Sequence, residues 1–433
     1  MISRPQDGSG SVLARVSAGI FAALVALTPV VPHNRLPHAL VSADDVLPAV
    51  ATVVGLAAVL ATRGWRDLPA RLRRGPELIP LALLIVVTAI SAVHAGGGHA
   101  LASGPVRWLQ YVVLICIAYL LLRTPGDGAW ALRAVVGVAV FEAIFGLTAF
   151  AVDWRPGGHV GIERAYDLGI AQIFPGRIDG TLGVASIFLA GFLALALPIS
   201  VGLALRASGF RRAGWLTSTV LIAVTLAFTF SRVGIVLAVA AVVVLLLVRT
   251  PAKVWVPVVA VLAAVGFATP LRHRLLTLSN DRLSLWSAGA HMAGAHPLYG
   301  VGPGRYMQVL PQFAQTPFGK AIYTAHNSLV LASAESGIVA GVLLLAALVL
   351  ALRHLPAVLR ARYERPAALG AWLGLAAFAL DAMTNDLYFI PSVAVVAWLI
   401  PPALSAIAGR QPTVPPIPDA ESAHRDDLGS AVI

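Results

Sequence analysis

The chain has 433 residues, of which 58% are hydrophobic and only 12% charged. A soluble domain carries about 25% charged and about 45–50% apolar residues, so a soluble globular enzyme, a nucleic-acid-binding domain and a disordered chain are excluded. One cysteine, Cys116, excludes a disulfide framework, an iron–sulfur cluster and a Cys-based zinc site. The net charge of +11 comes from 29 Arg and 2 Lys; in a chain this apolar it reports topology rather than a nucleic-acid partner.

Apolar stretches near 20 residues, broken by Gly, Pro or charge, fall at 14–32, 46–62, 77–95, 106–123, 131–152, 181–205, 214–230, 233–249, 252–270, 325–352, 366–382 and 388–408. The expected fold is therefore an all-α polytopic membrane protein with about 12 transmembrane helices. The first stretch lacks a small-residue cleavage site and reads as a retained helix. As one helix, 214–249 would be about 50 Å long against a hydrocarbon core of about 30 Å. It must turn near Ser231-Arg232, with Gly234 easing the bend. With the N-terminus placed inside, the basic residues outside the two long loops divide 20 inside to 3 outside, which favours cytoplasmic N- and C-termini. The expected organisation is five helices over 1–152, an outer loop at 153–180, helices six to nine over 181–270 and a long outer loop at 271–324. Helices ten to twelve over 325–408 and a disordered cytoplasmic tail at 409–433 complete it.

The two long outer loops carry aromatic and aliphatic residues and exceed the length of most connections, so function is expected there. The second should hold a helix near 281–295, capped by Asn280 or Asp281. The cluster Pro297-Leu298-Tyr299-Gly300-Val301-Gly302-Pro303-Gly304-Arg305-Tyr306 follows; no strand precedes it, so it reads as a turn between helices rather than a dinucleotide fingerprint. The chain re-enters the membrane at Thr324-Ala325-His326-Asn327. On a helix, Ser333 and Gly337 would lie below His326, whereas Glu335 would face away. Glu335 and Glu142 are intramembrane acids, which mark function by default, but their placement favours structural hydrogen bonds or ion pairs.

Arg177, Arg232 and Arg282 are expected on the outer face. Any one alone reads as a lipid-headgroup contact. Three together with a histidine point to an anion site, because guanidinium binds phosphate oxygens in bidentate fashion and stays charged. No cluster of outer acids is present to hold Mg²⁺.

Several segments resemble the O-antigen ligase and polymerase family of bacterial envelope proteins. They are Thr229-Phe230-Ser231-Arg232-Val233-Gly234, Arg282-Leu283-Ser284-Leu285-Trp286, His296-Pro297-Leu298-Tyr299-Gly300-Val301-Gly302-Pro303-Gly304, and Ala325-His326-Asn327-Ser328-Leu329 followed by Glu335-Ser336-Gly337. His326, Asn327 and Gly337 fit the ligases' His-Asn, nine-residue gap, Gly pattern; Ala340 stands where that pattern has Gly, Thr or Tyr. The resemblance covers roughly residues 170–350. It implies a GT-C-like membrane glycosyltransferase in the bacterial inner membrane. The donor would be a glycan on undecaprenyl pyrophosphate. The acceptor would be lipid A–core, another lipid-linked glycan or a protein hydroxyl. The displacement would be inverting, with no metal, cofactor, nucleotide sugar or nucleic acid, and with membrane lipids as further partners. His326 would be the base or acceptor-orienting group, and Arg177, Arg232 and Arg282 the pyrophosphate ligands. Arg305, Tyr306 and Asn327 would bind substrate in a second rank.

That chemistry is physically coherent. A pyrophosphate gains charge as the sugar bond breaks, and preplaced arginines stabilise it. A neutral imidazole suits proton removal, a contribution of about 10²–10⁴-fold. Two other classes stay open: a lipid-glycan flippase or transporter, which would carry midplane charges and broken helices, and a peptidoglycan polymerase. The latter type relies on an outer-loop Asp, and Asp281 is the only acid in 271–324.

Overall fold

Runs of Ala, Val and Leu cannot leave backbone polar groups unpaired in lipid, so they fold as helices that satisfy them internally. The computed structural model describes residues 8–30, 45–151, 177–182, 186–249, 280–314, 324–361 and 364–408, and these are helical with no strand among them. The first helices are α1 (Gly8–Ala26), α2 (Val46–Ala61), α3 (Leu68–Leu72), α4 (Leu78–His94), α5 (Arg107–Leu121) and α6 (Pro125–Ala151). The next are α7 (Ser186–Arg206), α8 (Gly209–Phe228), α9 (Arg232–Arg249), α10 (Asn280–Ala295) and α11 (Tyr306–Phe313). The last are α12 (Ser328–Ser336), α13 (Ile338–Ala351), α14 (Pro366–Asp381) and α15 (Pro391–Ala408). Proline opens α6, α14 and α15, where a missing amide costs nothing. Asp127 and Thr124 exchange side-chain bonds with each other's amides, a capping box at the start of α6.

Among the described residues, six helices are long and apolar enough to cross a membrane, or seven if α2 and the segment Gly64–Leu72 count as one bent span. The fold is thus all-helical and multi-pass; the count of twelve is an expectation this number does not confirm. The expected span 252–270, most of the loop 153–180 and the tail 409–433 lie outside the described residues.

The packing centres on α7, whose residues are mostly buried, and on α15, whose residues are almost all buried. Small residues let α7 and α14 meet backbone to backbone. A Cβ at Gly370 or Gly374 would collide with the carbonyl oxygens of Pro198 or Leu195, and one at Gly202 would stand 2.6 Å from that of Pro366.

One expected helix and the expected role of one glycine are revised. The stretch 325–352 is not continuous: it breaks at Gly337 (φ 89°) into α12 and α13. The Gly-Pro loop fills the break. Val301 and Gly302 donate backbone hydrogen bonds to Ala334 and Glu335, and Ile338 donates to Pro297, each at 2.9 Å. The hairpin between α8 and α9 does turn at 229–231, but Phe230 (φ 51°) makes the bend. Gly234 instead allows close approach to α7, since a Cβ there would stand 3.1 Å from that of Ala190.

A second apolar core forms beside the main one. Leu285, Ala288 and Met292 of α10, Tyr306 and Leu310 of α11, and Ala325, Leu331 and Ala334 around α12 pack together. Arg282 and His326 belong to this smaller unit; Arg177 and Arg232 belong to the main bundle.

Candidate active site

The site is assembled where the two units meet. On the bundle side, α14 ends at Asp381 and a short turn leads through Asn385 and Asp386 to α15. Ser328, the first residue of α12, locks onto this turn. Its amide donates to Ala382 O at 2.8 Å and its hydroxyl to Asn385 O at 3.1 Å. Asn327 caps α12, its side-chain oxygen accepting from the amides of Leu329 (3.0 Å) and Val330 (3.1 Å).

His326 therefore precedes the helix instead of lying on it, and its φ of 47° puts it in the left-handed region. A β-carbon is disfavoured there, and such strain persists only where surroundings enforce it. Asp386 does so. This carboxylate is 3% exposed, accepts from the Thr324 hydroxyl and is hydrogen-bonded by the Asn327 amide. It thus grips both sides of His326. The His326 carbonyl accepts from Trp286 Nε1 of α10 at 3.4 Å.

Arg282 Nη2 donates to Asn385 Oδ1 at 3.4 Å, and Asn385 Nδ2 donates to Asp381 Oδ1 at 2.7 Å. Arg282 also lies within electrostatic reach of Asp386, His326 and Arg232. Arg177 donates from Nε to Thr229 O at 2.7 Å, and Ile178 donates to Phe228 O at 3.1 Å, so the segment 177–182 lines the hairpin that opens onto Arg232. The structure thus gathers His326, Arg282 and Arg232, with Arg177 against the hairpin that carries Arg232.

Burial holds His326 below its ordinary value near 6.5, with Arg282 adding to the effect and Asp386 opposing it. Burial pushes Asp386 above the usual carboxylate range, against the pull of His326, Thr324, Asn327 and Arg282. The result is a neutral imidazole beside a carboxyl group that would stabilise it once protonated. Burial also lowers Arg282, offset by Asp381, but a guanidinium remains charged.

The second-rank residues have structural partners of their own. Tyr306 is 1% exposed; its hydroxyl donates to Leu285 O at 2.6 Å and its amide to Glu335 Oε1 at 3.2 Å. It braces α10 against α12, with its hydroxyl hydrogen given to Leu285 O. Asn327 is spent as the helix cap. Arg305 packs over Gly302 beside Ala95, at the end of α4, instead of beside His326. Glu335 and Glu142 make structural bonds. Glu142 accepts from the Thr181 amide at 2.9 Å and the Thr181 hydroxyl at 2.5 Å, fixing the segment after Arg177. The side chain of Asp281 lies outside the described residues. Among those described, no group of three or more His, Cys, Asp or Glu side chains could hold a metal ion.

Sequence reasoning missed Asp381, Asn385 and Asp386. Their signal was present: an Asp-Ala-Met-Thr-Asn-Asp run with four polar side chains between two apolar stretches. Position alone did not link it to His326, 60 residues earlier in the chain.

Residues 217–345 match the family model described as O-Antigen ligase, which bears out the resemblance read from the motifs. The matched stretch contains Arg232, Arg282 and His326; Arg177 and the 381–386 turn lie outside it. No curated protein matches the chain. Members of this family are membrane glycosyltransferase-like enzymes of ligase or polymerase type, with lipid-linked glycan substrates.

Proposed function

Taking residues 217–345 as a domain of the O-antigen ligase/polymerase family, we propose that this chain transfers a glycan from undecaprenyl pyrophosphate to an acceptor hydroxyl at the outer face of the inner membrane. The observation that carries this reading is the meeting of His326 and Arg282 over one buried carboxylate, Asp386, with Arg232 close enough to repel Arg282.

In the proposed reaction, the neutral imidazole of His326 takes the proton of the acceptor hydroxyl. The acceptor oxygen bonds the anomeric carbon as the bond from that carbon to the pyrophosphate oxygen breaks. The electron pair leaves with the pyrophosphate, where Arg232, Arg282 and Arg177 stabilise the growing charge. The anomeric configuration inverts, because the acceptor enters opposite the leaving group. Asp386 stabilises the imidazolium and fixes the ring's approach; it is a positioning residue. The acceptor is proposed as lipid A–core or another lipid-linked glycan.

The test is transfer by the purified protein, reconstituted with a lipid-linked donor. His326→Ala and Arg232→Ala, each inserted and folded like the parent, should lose most of the activity. If both transfer at the parent rate, the assignment is wrong.

A further inference from the structure

A second concentration of positive charge lies at the opposite end of the bundle. Helices α4 and α5 both span from one end to the other. His94 at one end of α4 stacks on Tyr299 of the site-side loop, and Arg107 at the matching end of α5 donates to Phe389 O beside the 381–386 turn. Arg123 and the segment 63–74 lie at the other ends of these helices.

There α2 and the segment Gly64–Leu72 meet at 87°. Arg63, in the left-handed region at φ 51°, makes the corner. The twelve residues 63–74 carry Arg63, Arg66, Arg71, Arg73 and Arg74 against one acid, Asp67. Arg123 leans over the same corner: a Cβ at Gly64 would stand 2.7 Å from its Nη2. Arg71 lies within electrostatic reach of both Arg123 and Arg74. Asp67 approaches only to 3.6 Å from Arg71 Nε and is 54% exposed, a weak counter-charge. Arg71 Nε and Arg123 Nη2 are buried, and neither has a hydrogen-bond partner among the described residues.

Buried donors on two like-charged groups call for an acceptor that is also an anion. Neighbouring residues identify its source. Trp65 is 54% and Leu68 37% exposed, and the Arg66 guanidinium sits 5.7 Å from the centre of the Trp65 ring. Aromatic, aliphatic and arginine side chains on a short helix turned across the bundle are the composition of a membrane–water interface. A soluble anion needs no apolar rim, whereas a phospholipid brings acyl chains to one. We propose that the bend at 63–74, completed by Arg123, is a binding site for the phosphate of an anionic phospholipid, with Arg71 and Arg123 as its inner ligands and Trp65 and Leu68 against the acyl chains. The site lies away from His326 and does not depend on the transferase reading.

The test uses the full-length protein in neutral detergent, titrated with phosphatidylglycerol or phosphatidylcholine, with bound lipid counted by native mass spectrometry. The parent should retain phosphatidylglycerol in preference to phosphatidylcholine. Each basic group near an anionic surface contributes about fivefold, so R71Q/R123Q should weaken phosphatidylglycerol binding roughly tenfold or more and leave phosphatidylcholine unchanged. R73Q/R74Q alters two exposed arginines and should cost a few-fold. If the first variant fails to fold, the second decides alone. Equal retention of the two lipids by the parent overturns the proposal, as does parent-like phosphatidylglycerol binding by R73Q/R74Q. Displacement of the lipid by inorganic phosphate would assign the arginines to a free anion and overturn the lipid reading.

Discussion

Two clusters of buried charge among the described residues are built differently. At the end opposite the candidate site, Glu77 is fully buried and both its carboxylate oxygens are engaged. Tyr119 donates to one at 2.5 Å and Arg353 to the other at 2.5 Å, tying α4, α5 and the end of α13 together. At the site, Asp386 Oδ1 and Asp381 Oδ2 have no hydrogen-bond partner among the described residues, and two arginines repel each other nearby. The first cluster is closed on itself and holds helices; the second is left open toward a ligand. A buried ion pair is weak evidence of net stability, yet removing one partner is costly, whereas an unfinished set of charges is what electrostatic catalysis requires.

The comparison is broken or sharpened by variants at each end. The largest effect is expected at the open cluster: His326→Ala should lower glycan transfer by about 10²–10⁴-fold with the melting temperature close to the parent's. A comparable loss of melting temperature would make His326 a structural residue. At the closed cluster, Glu77→Ala leaves Arg353 without its carboxylate and should destabilise by about 3 kcal/mol, read by thermal or denaturant unfolding, while transfer per folded molecule stays near the parent value. Between the two stands Asn327→Ala. Loss of the α12 cap should cost about 1 kcal/mol and should also reduce turnover, because the cap holds the loop that carries His326.

The smallest effect is on pH dependence. Burial lowers His326 below 6.5, so transfer should fall on the acid side only below that value. Protonation then favours the unfolded chain, whose histidine is ordinary, so stability should also decline as pH drops below about 6.5. Asp386 favours the imidazolium, hence Asp386→Asn should move the acid limb of the rate profile further down. An acid limb at the same pH in Asp386→Asn would separate the two residues.

Much of the fold was legible because the solvent is lipid. Where backbone groups must pair internally, apolar length alone gives helices near 46–62, 77–95, 106–123 and 388–408. The breaks were harder. Residues 325–352 read as one apolar run, and only the docked loop, with Gly300 at φ 64° packed against Glu335, makes a break at Gly337 tolerable. Tyr306 was expected among the second-rank substrate-binding residues, and only the packing shows its hydroxyl donating to Leu285 O of α10.

The amino-acid order by itself determined an all-helical membrane chain and singled out His326, Arg177, Arg232 and Arg282, because hydropathy and charge are properties of each residue and need no neighbour. It could not supply the 381–386 turn, the left-handed histidine or the seam between two cores. Those depend on contacts between residues tens to hundreds of positions apart, and only the packing of the second core against the bundle decides which side chains share one buried, low-dielectric space.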